Sequence, residues 1–357
     1  MAFDFHADPF TVCLMLLTGN RRQFLLSLPA LTLVPRVLAA QSGATIKVRG
    51  INHVGLMVSD LKRSIDFYQT LFGMPQGQSS DTIARLQIGA GPVHLELLTA
   101  AAGATPSINH FCLGVEGFDA DRIAKVLTDH GVAKADAQGP LATMTVRVTS
   151  RPTGGSAVHL GDPDGIDIQL QDAAYCGGSG PVGAVCAAAK PSPVKGLIAL
   201  KGYSHMTVFS NDAAKSNAFY KDAFGMGIRS YQGPTAPTLA AGPGVEFLMF
   251  TGGGGGRAGA PARAASINHF CMNLANFKPD DVIKALESVG VKPRESQTGP
   301  VGPMRHYISM RMENRGGAKD GTPELYFTDP DGLLVQLQDV TYCGGSGFLG
   351  DVCPKVP

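Results

Sequence analysis

The 357-residue chain contains no tryptophan, has a formal net charge of only +1, and places charged residues at 17% of its positions. So small a net charge gives no electrostatic basis for binding nucleic acid or an anionic membrane. The mostly apolar run at residues 24–38 is too short to span a bilayer and contains Pro29 and Pro35. We therefore expect no nucleic-acid partner and no membrane span in the mature protein.

Hydrophobic residues and glycine are abundant by contrast. Hydrophobic residues make up 44% of the chain, which is enough to bury sizeable cores, and there are 45 glycines. This balance favours many short strands joined by glycine-rich turns over a helical bundle.

The N-terminal residues 1–41 have the organisation of an export signal. Arg21 and Arg22 precede Gln-Phe-Leu, the apolar run follows, and small residues end it at Ala40. This arrangement resembles the bacterial twin-arginine signal, with a membrane anchor as the alternative. The resemblance predicts a periplasmic or secreted protein.

The cysteines agree with an oxidising compartment. Cys176 and Cys186 are ten residues apart, and Cys343 and Cys353 repeat this spacing. Each pair predicts a short-loop disulfide, because a zinc site built from two thiols would be incomplete. Cys112 and Cys271 lie in apolar segments and are predicted to be buried thiols.

The chain repeats itself at two levels, between its halves and within the first half. Three motifs of the first half recur in the second: Ser107–Cys112 at Ser266–Cys271, Asp162–Gly165 at Asp329–Gly332, and Tyr175–Gly180 at Tyr342–Gly347. Within the first half, Ile51-Asn-His53 already resembles Ile108-Asn-His110. The repeats divide the chain into a first domain at 50–186, a linker at 187–200 and a second domain at 201–353.

Each of the four repeat units places one histidine on its opening strand: His53, His110, His205 and His269. Histidines at equivalent positions that converge are a common way to build a metal site. A buried, hydrogen-bonded core histidine is the alternative at each position.

The segments around these histidines predict strand, helix and turn in order. Strands are expected at Ile51–Val58 and Tyr203–Phe209, each followed by a helix capped by Ser59 or Asp60, or by Asn211 or Asp212. Gly73 and Gly225 are placed where a helix ends in a left-handed residue.

These patterns together resemble the vicinal oxygen chelate superfamily, which includes glyoxalase I, type I extradiol dioxygenases and bleomycin-resistance proteins. The resemblance is carried by His53, Phe67-Tyr68, Leu71–Met74 and Asp162–Gly165, with their copies at His205, Phe219-Tyr220, Ala223–Met226 and Asp329–Gly332. It implies an α+β fold in which four βαβββ modules pair into two open mixed-sheet barrels. A monomer or a homodimer is compatible with two barrels in one chain.

In the first half the resemblance implies His53, Glu96, His110 and Gln169 as ligands of a divalent metal. Two imidazoles, a carboxylate and an amide oxygen suit Fe, Mn, Ni or Zn. Glu96 lies on an apolar strand, where an unpaired carboxylate would be costly, so a cation partner is expected. An exposed edge position is the alternative for Glu96, and His94 is a rival ligand.

In the second half the corresponding ligands are His205, His269 and Gln336. Matching Thr99 with Thr251 places Leu248 opposite Glu96 and Glu246 opposite His94. An amide cancels no metal charge, and Gln169 and Gln336 are present in both halves, so the first half is expected to be the better metal site because only it has Glu96.

The segment Leu325–Gly332 resembles the extradiol dioxygenase motif, in which Tyr326 lies near the substrate as a proton donor or contact. Gln336 replaces the glutamate that ends this motif, and His306 is the nearest histidine upstream of the tyrosine.

The sequence thus predicts an exported metal-dependent enzyme, with dioxygenase chemistry on a small catechol-like or other vicinal-oxygen substrate as the first hypothesis. A glyoxalase-like lyase or isomerase, and a non-catalytic binder of small molecules, are the alternatives.

Overall fold

The computed structural model describes residues 45–135, 139, 141–252 and 264–354. These residues form two mixed β-sheets with four α-helices, which confirms the predicted α+β fold of two open sheet domains. The predicted export signal at residues 1–41 lies outside the described residues. None of the described helices has the length and apolar character needed to cross a membrane.

The elements of the first half are β1 (Val48–Val58), α1 (Leu61–Phe72), β2 (Ile83–Gln87), β3 (His94–Thr99), β4 (Ser107–Val115), α2 (Ala120–Asp129), β5 (Ala133–Lys134), β6 (Thr145–Ser150), β7 (Ser156–Gly161) and β8 (Asp167–Asp172). The elements of the second half are β9 (Leu200–Ser210), α3 (Ala213–Phe224), β10 (Ile228–Tyr231), β11 (Pro237–Ala240), β12 (Phe247–Gly252), β13 (Ser266–Leu274), α4 (Pro279–Ser288), β14 (Lys292–Pro293), β15 (Arg305–Arg311), a 3₁₀ turn (Glu313–Arg315), β16 (Thr322–Thr328) and β17 (Leu334–Asp339).

The two sheets share one strand order, to which the second adds an edge strand, β10. The first has the strand order β2-β3-β1-β4-β8-β7-β6-β5, and the second has β10-β11-β12-β9-β13-β17-β16-β15-β14. In each sheet the two opening strands, β1 with β4 and β9 with β13, pair antiparallel at the centre. Each central strand is flanked on its other side by a parallel strand that closes its own module.

The helix boundaries follow the predicted caps. The Asp60 side chain accepts a hydrogen bond from the Arg63 amide, and Asp212 does the same for α3. Gly73 and Gly225 end α1 and α3 with φ of 65° and 62°, a backbone conformation that glycine adopts without a steric cost.

Strand β1 separates the hydrophobic core from a polar interior. Val54, Leu56 and Val58 are fully buried in the core on one face, as the two-residue period of a strand requires. His53 is also fully buried, but it belongs to the opposite face, which the curved sheet encloses. A buried histidine on the inner face therefore needs polar partners there.

The two halves contact each other reciprocally. The Tyr68 hydroxyl donates to Asp329 Oδ2 at 3.2 Å, and the Tyr220 hydroxyl donates to Asp162 Oδ2 at 3.0 Å. Each tyrosine lies on the first helix of its own half and each aspartate in the Asp-Pro-Asp-Gly motif of the other half. Burial raises the pKa of both aspartates to about 6. The halves thus share a pseudo-twofold interface.

Both predicted disulfides are present, Cys176–Cys186 and Cys343–Cys353, with Cα–Cα distances of 6.3 Å. Cys112 and Cys271 are buried free thiols, also as predicted. The segment between the halves packs along the first half: the Lys190 and Gln76 backbones pair, and Ile198 is buried.

Candidate metal centre

Four neighbouring strands bring the predicted ligands of the first half together. His53 lies on β1, Glu96 on β3, His110 on β4 and Gln169 on β8. In the sheet Gly55 pairs with both Glu96 and His110, and Cys112 pairs with both His53 and Gln169. The repeat topology therefore places all four side chains at the middle of the concave face.

The ligand atoms are close enough to share one ion. His53 Nε2 lies 2.9 Å from Gln169 Oε1 and 3.3 Å from His110 Nε2, and His110 Nε2 lies 4.0 Å from Glu96 Oε2. Among the histidines, cysteines, aspartates and glutamates of the described residues, His53, Glu96 and His110 are the one group of three whose ligand atoms all lie within 4.8 Å of one another.

The hydrogen bonds behind the first imidazole fix which nitrogen faces the centre. Asn52 Nδ2 donates to Tyr175 O at 2.9 Å, so Asn52 Oδ1 is the atom that accepts from His53 Nδ1, at 2.9 Å. His53 Nε2 then carries a lone pair and no proton. His110 Nδ1 has the same partner type, Asn109 Oδ1 at 3.0 Å.

Several lone pairs consequently converge without a proton between them. Burial lowers the pKa of His53 and of His110, which keeps both rings neutral. Two imidazole nitrogens, an amide oxygen and a carboxylate oxygen that face one another are satisfied by a cation and not by one another. The side chains present therefore fit a divalent metal ion.

The Glu96 carboxylate forms an ion pair with an arginine that the sequence analysis did not identify. Arg85 Nη2 on β2 lies 2.6 Å from Glu96 Oε1, while Oε2 is the oxygen nearest His110. Burial alone would raise the pKa of Glu96, but Arg85 holds that pKa below its usual value. The guanidinium supplies the expected cation partner and orients the carboxylate, with one oxygen left for a metal.

Gly55 makes room for the His110 ring. A Cβ atom at this position would lie 2.2 Å from His110 Cε1 and 2.4 Å from Nδ1, far inside van der Waals contact. Any other residue at position 55 would move the ring.

The second half forms a related but carboxylate-free cluster. His205 Nε2 lies 3.3 Å from His269 Nε2 and 3.1 Å from Gln336 Oε1, and His269 Nδ1 is 2.6 Å from Asn268 Oδ1. Burial lowers the pKa of His269 to about 4. The three predicted ligands of this half thus converge, but the set carries no charge to offset that of a metal.

The predicted alignment of Leu248 with Glu96 is wrong by one residue. The strand pairing places Phe247 beside His205 and Met249 beside Thr207, where the first half has His94 beside His53 and Glu96 beside Gly55. Leu248 is fully buried on the core face instead. The second half gained its extra residue before β11, and a slip of one residue exchanges the two faces of a strand.

Glu246 likewise lies outside the second cluster. It precedes β12, and its carboxylate accepts a hydrogen bond of 2.5 Å from the Ile51 amide of the first half.

His94, the rival ligand of the first half, lies against the His53 ring. The two rings stack at a centroid distance of 4.7 Å, and burial lowers the pKa of His94 to about 4. His94 therefore packs against a candidate ligand and is not part of the group whose ligand atoms converge.

Aromatic rings and an ion pair fill the interior around the second cluster. The Tyr326 ring meets His269 edge-on at 5.3 Å, and the Phe247 ring stacks on His205 at 4.4 Å. Tyr326 donates to Glu324 at 3.3 Å, and Glu324 is paired with the buried Arg311 at 2.7 Å. Tyr326 thus lies beside the predicted ligands, whereas His306 on the same sheet pairs with Glu287.

The sequence contained a signal for some of the missed residues. Asparagine precedes histidine at Asn52, Asn109 and Asn268, and the structure shows this residue as the hydrogen-bond acceptor for the ring. Arg85 had no such signal, because its contact with Glu96 depends on the pairing of β2 with β3.

The fold is similar to those of several solved structures. A Mn(II)-bound glyoxalase from Novosphingobium aromaticivorans has a TM-score of 0.56 and 16% identity, over 82% of this chain and 82% of that one. A catechol 2,3-dioxygenase has a TM-score of 0.55 and 17% identity, over 85% of this chain and 89% of that one. An extradiol ring-cleaving dioxygenase from B. fuscum has a TM-score of 0.55 and 16% identity, over 84% of this chain and 74% of that one.

Among curated protein sequences no relative matches. A family model, however, matches twice, at residues 50–170 and 202–337, and these two regions contain both histidine clusters. The repeats, the paired sheets and the family match agree: the chain belongs to the Glyoxalase/Bleomycin resistance protein/Dioxygenase superfamily.

Proposed function

We propose that this protein is a metal-dependent enzyme whose metal is held in the first half by His53, Glu96, His110 and Gln169. The observation that carries the proposal is the convergence of neutral imidazole nitrogens, an amide oxygen and a carboxylate oxygen in one buried cluster. A bound divalent ion supplies Lewis-acid polarisation of two adjacent substrate oxygens.

The residues of the chain prepare this site in three ways. Asn52 and Asn109 hold the ring nitrogens in the orientation that leaves Nε2 free. Arg85 holds one oxygen of Glu96 and leaves the other free to act as a ligand or to accept a substrate proton. Tyr175, 5.7 Å from His53, covers the cluster from the disulfide loop and limits access of water.

Glyoxalase-like lyase or isomerase chemistry is the reaction class that this geometry supports best. The four-ligand set of the first half resembles that of glyoxalase I, and it includes the one carboxylate that lies within either cluster among the described residues. A carboxylate beside a polarised carbonyl suits a proton transfer between adjacent carbons. Such a reaction needs neither the second cluster nor oxygen.

Dioxygenase chemistry in the second half is the other candidate. The edge contact between Tyr326 and His269 places a phenol next to the cluster, as the motif implies. The absence of a carboxylate beside His205, His269 and Gln336 in the described structure counts against it, because such a site holds a metal more weakly.

Metal analysis followed by two assays tests the proposal. The mature chain, loaded with Mn²⁺, Fe²⁺, Ni²⁺ or Zn²⁺, should retain about one ion and isomerise a 2-oxoaldehyde–thiol adduct without consuming oxygen. The H53A variant should lose both properties. Oxygen uptake with a catechol would favour the dioxygenase candidate, and a chain that retains no metal would contradict enzyme function and favour a non-catalytic binder.

Export is the second part of the proposal. Two disulfides that close ten-residue loops are compatible with an oxidising, extracytoplasmic location. Replacing Arg21 and Arg22 with lysine should trap the protein inside the cell, which fractionation measures; unchanged delivery would contradict twin-arginine export.

A further inference from the structure

The disulfide of the first half lies at the surface, whereas that of the second half is more deeply covered. Cys186 is exposed, Cys176 is partly exposed, and a cavity of about 210 Å³ borders both residues. At the equivalent positions, Cys343 is only 4% exposed and Cys353 is partly exposed. Thiol–disulfide exchange requires that an attacking thiolate reach one of the two sulfur atoms. The first-half disulfide is therefore the more accessible one to reduction.

The residue before Cys176 supports the first imidazole of the metal centre. Tyr175 O accepts a hydrogen bond from Asn52 Nδ2 at 2.9 Å, and Asn52 Oδ1 accepts one from His53 Nδ1 at 2.9 Å. Asn52 is only 3% exposed, so both bonds lie in the protein interior. The position of the Tyr175 carbonyl thus sets the orientation of Asn52 and, through it, that of the His53 ring.

The residue after Cys176 supports the carboxylate of the metal centre. A Cβ atom at Gly177 would lie 2.5 Å from Arg85 Nε, so the backbone of this glycine packs directly on the guanidinium. Arg85 Nη2 in turn lies 2.6 Å from Glu96 Oε1. Two candidate ligands on different strands therefore depend on the two chain neighbours of one cysteine of the disulfide.

The disulfide loop of the second half makes different contacts. Ser204, and not an asparagine, precedes His205 and lies 3.1 Å from its Nδ1. The glycine after Cys343, Gly344, packs on an aromatic ring and not on an arginine, because its Cβ atom would lie 2.9 Å from Phe247 Cζ. An exposed disulfide and a loop that contacts the supports of metal ligands thus occur together in the first half.

We infer that the Cys176–Cys186 disulfide is a redox-modification site that controls metal affinity: reduction by a dithiol weakens metal binding, and re-formation of the disulfide restores it. The inference rests on the proposed function, because the affected site is the proposed metal centre.

The exchange has two steps. A thiolate of the dithiol attacks Cys186 Sγ, the S–S bond breaks, and Cys176 leaves as a thiolate that takes up a proton. The second thiol of the reductant then attacks the mixed disulfide and releases Cys186. Two electrons and two protons pass to the cysteines, and the dithiol becomes a disulfide.

Reduction acts on the metal centre by loosening the loop. Loss of the cross-link increases the population of locally open states of the ten-residue loop. The bond from Cys176 N to Gly183 O and those from Arg151 to Gly180 O and Pro181 O remain, so the loop loosens without unfolding the half. Because the loss of a group that orients a metal ligand costs about 10- to 100-fold in affinity, we expect at least about tenfold weaker Mn²⁺ binding.

Selective reduction tests the first part of the inference. The purified protein is treated anaerobically with dithiothreitol, the reductant is removed, and one sample is alkylated with iodoacetamide and mapped by mass spectrometry. Cys176 and Cys186 should be labelled while the Cys343–Cys353 disulfide stays closed. Equal or earlier labelling of the second-half pair would overturn the inference.

Calorimetric titration with Mn²⁺, well below the melting temperature, tests the second part on samples that were not alkylated. The reduced protein should bind Mn²⁺ at least about tenfold more weakly, and reoxidation with diamide should restore the original affinity. The variant that combines C176S and C186S should reproduce the affinity of the reduced protein. The matched variant that combines C343S and C353S opens a loop of the same length and should bind Mn²⁺ as the oxidised wild type does.

The outcomes separate the inference from the proposed function. Equal Mn²⁺ affinity of the oxidised and reduced wild type would overturn the inference and leave the proposed function standing. An equal loss of affinity in the C343S and C353S variant would do the same, because any disulfide would then have the effect. An oxidised protein that binds no Mn²⁺ would overturn both.

Discussion

The two halves share a histidine pair, a glutamine and a fold, but they differ at four positions around them. Where the first half has Gly55, Arg85, His94 and Glu96, strand pairing places Thr207, Thr238, Phe247 and Met249 in the second. The second half thus has no charged side chain and no imidazole at these four positions, and it has a side chain where the first half has glycine. Convergent histidines are therefore a property of the repeat, whereas a histidine cluster that includes a carboxylate is a property of the first half.

The joint presence of Glu96 and Arg85 in the first half, and their joint replacement in the second, has an energetic reason. Removing one partner of a buried ion pair leaves an uncompensated charge, which costs about 3–5 kcal/mol. A half without the carboxylate is therefore expected to lack the guanidinium as well. The second half retains a different buried pair, Arg311 with Glu324, which its tyrosines solvate.

The largest expected effect comes from removing the histidines themselves. H53A and H110A should each weaken Mn²⁺ binding by at least about 100-fold, because the protein loses a nitrogen ligand. The matched variants H205A and H269A should leave the affinity of the tight site unchanged. Titration calorimetry with Mn²⁺ measures both, and equal losses in the two halves would show that the halves do not differ as metal sites.

The second-largest effect on metal binding is expected from removing the carboxylate in the first half or adding one in the second. E96M should weaken Mn²⁺ binding by about 10- to 100-fold, because one unit of charge compensation is lost. M249E should create a second site and raise the metal content toward two ions per chain. Without metal, M249E should melt at a lower temperature than wild type, since its buried carboxylate has no arginine partner. A metal content that stays at one would refute the equivalence of positions 96 and 249.

Filling the free space at Gly55 should have a smaller effect. In G55A the new methyl group displaces the His110 ring, and we expect about tenfold weaker Mn²⁺ binding with a near-normal melting temperature. T207G, at the equivalent position of the second half, is the control and should not change the tight site. Unaltered Mn²⁺ affinity in G55A would show that metal binding does not depend on the exact position of the His110 ring.

The smallest expected effect concerns Glu246, which has no charged counterpart in the first half. Burial raises its pKa from 4.5 to about 8, so between these values the folded protein holds a proton that the unfolded chain releases. Stability should therefore fall as the pH rises from 4.5 to 8. E246Q should make this decline shallower and gain stability relative to wild type at pH 8, as measured by melting temperature across the pH range. E313Q, on an exposed turn, should leave the decline as it is.

Sequence alone predicted most of the fold and named the histidines and glutamines that converge in each half. Helix caps such as Asp60 and Asp212, and the repeated Asn-His pairs, act through neighbours in the chain, so their spacing is visible in the sequence. The position of Met249 was missed because the Thr99–Thr251 match suggests a register that the strand pairing does not adopt. Arg85 was missed for the related reason that contacts across strands depend on register.

The reciprocal bonds from Tyr68 to Asp329 and from Tyr220 to Asp162 bear on how the two halves diverged. The first helix of each half is thus bonded to the Asp-Pro-Asp-Gly turn of the other half, as in a symmetric dimer of two related subunits. These contacts require the second half to keep its shape even though its histidine cluster lacks a carboxylate among the described residues. Under the proposed function, the second half serves as a built-in partner that keeps the metal-binding half folded.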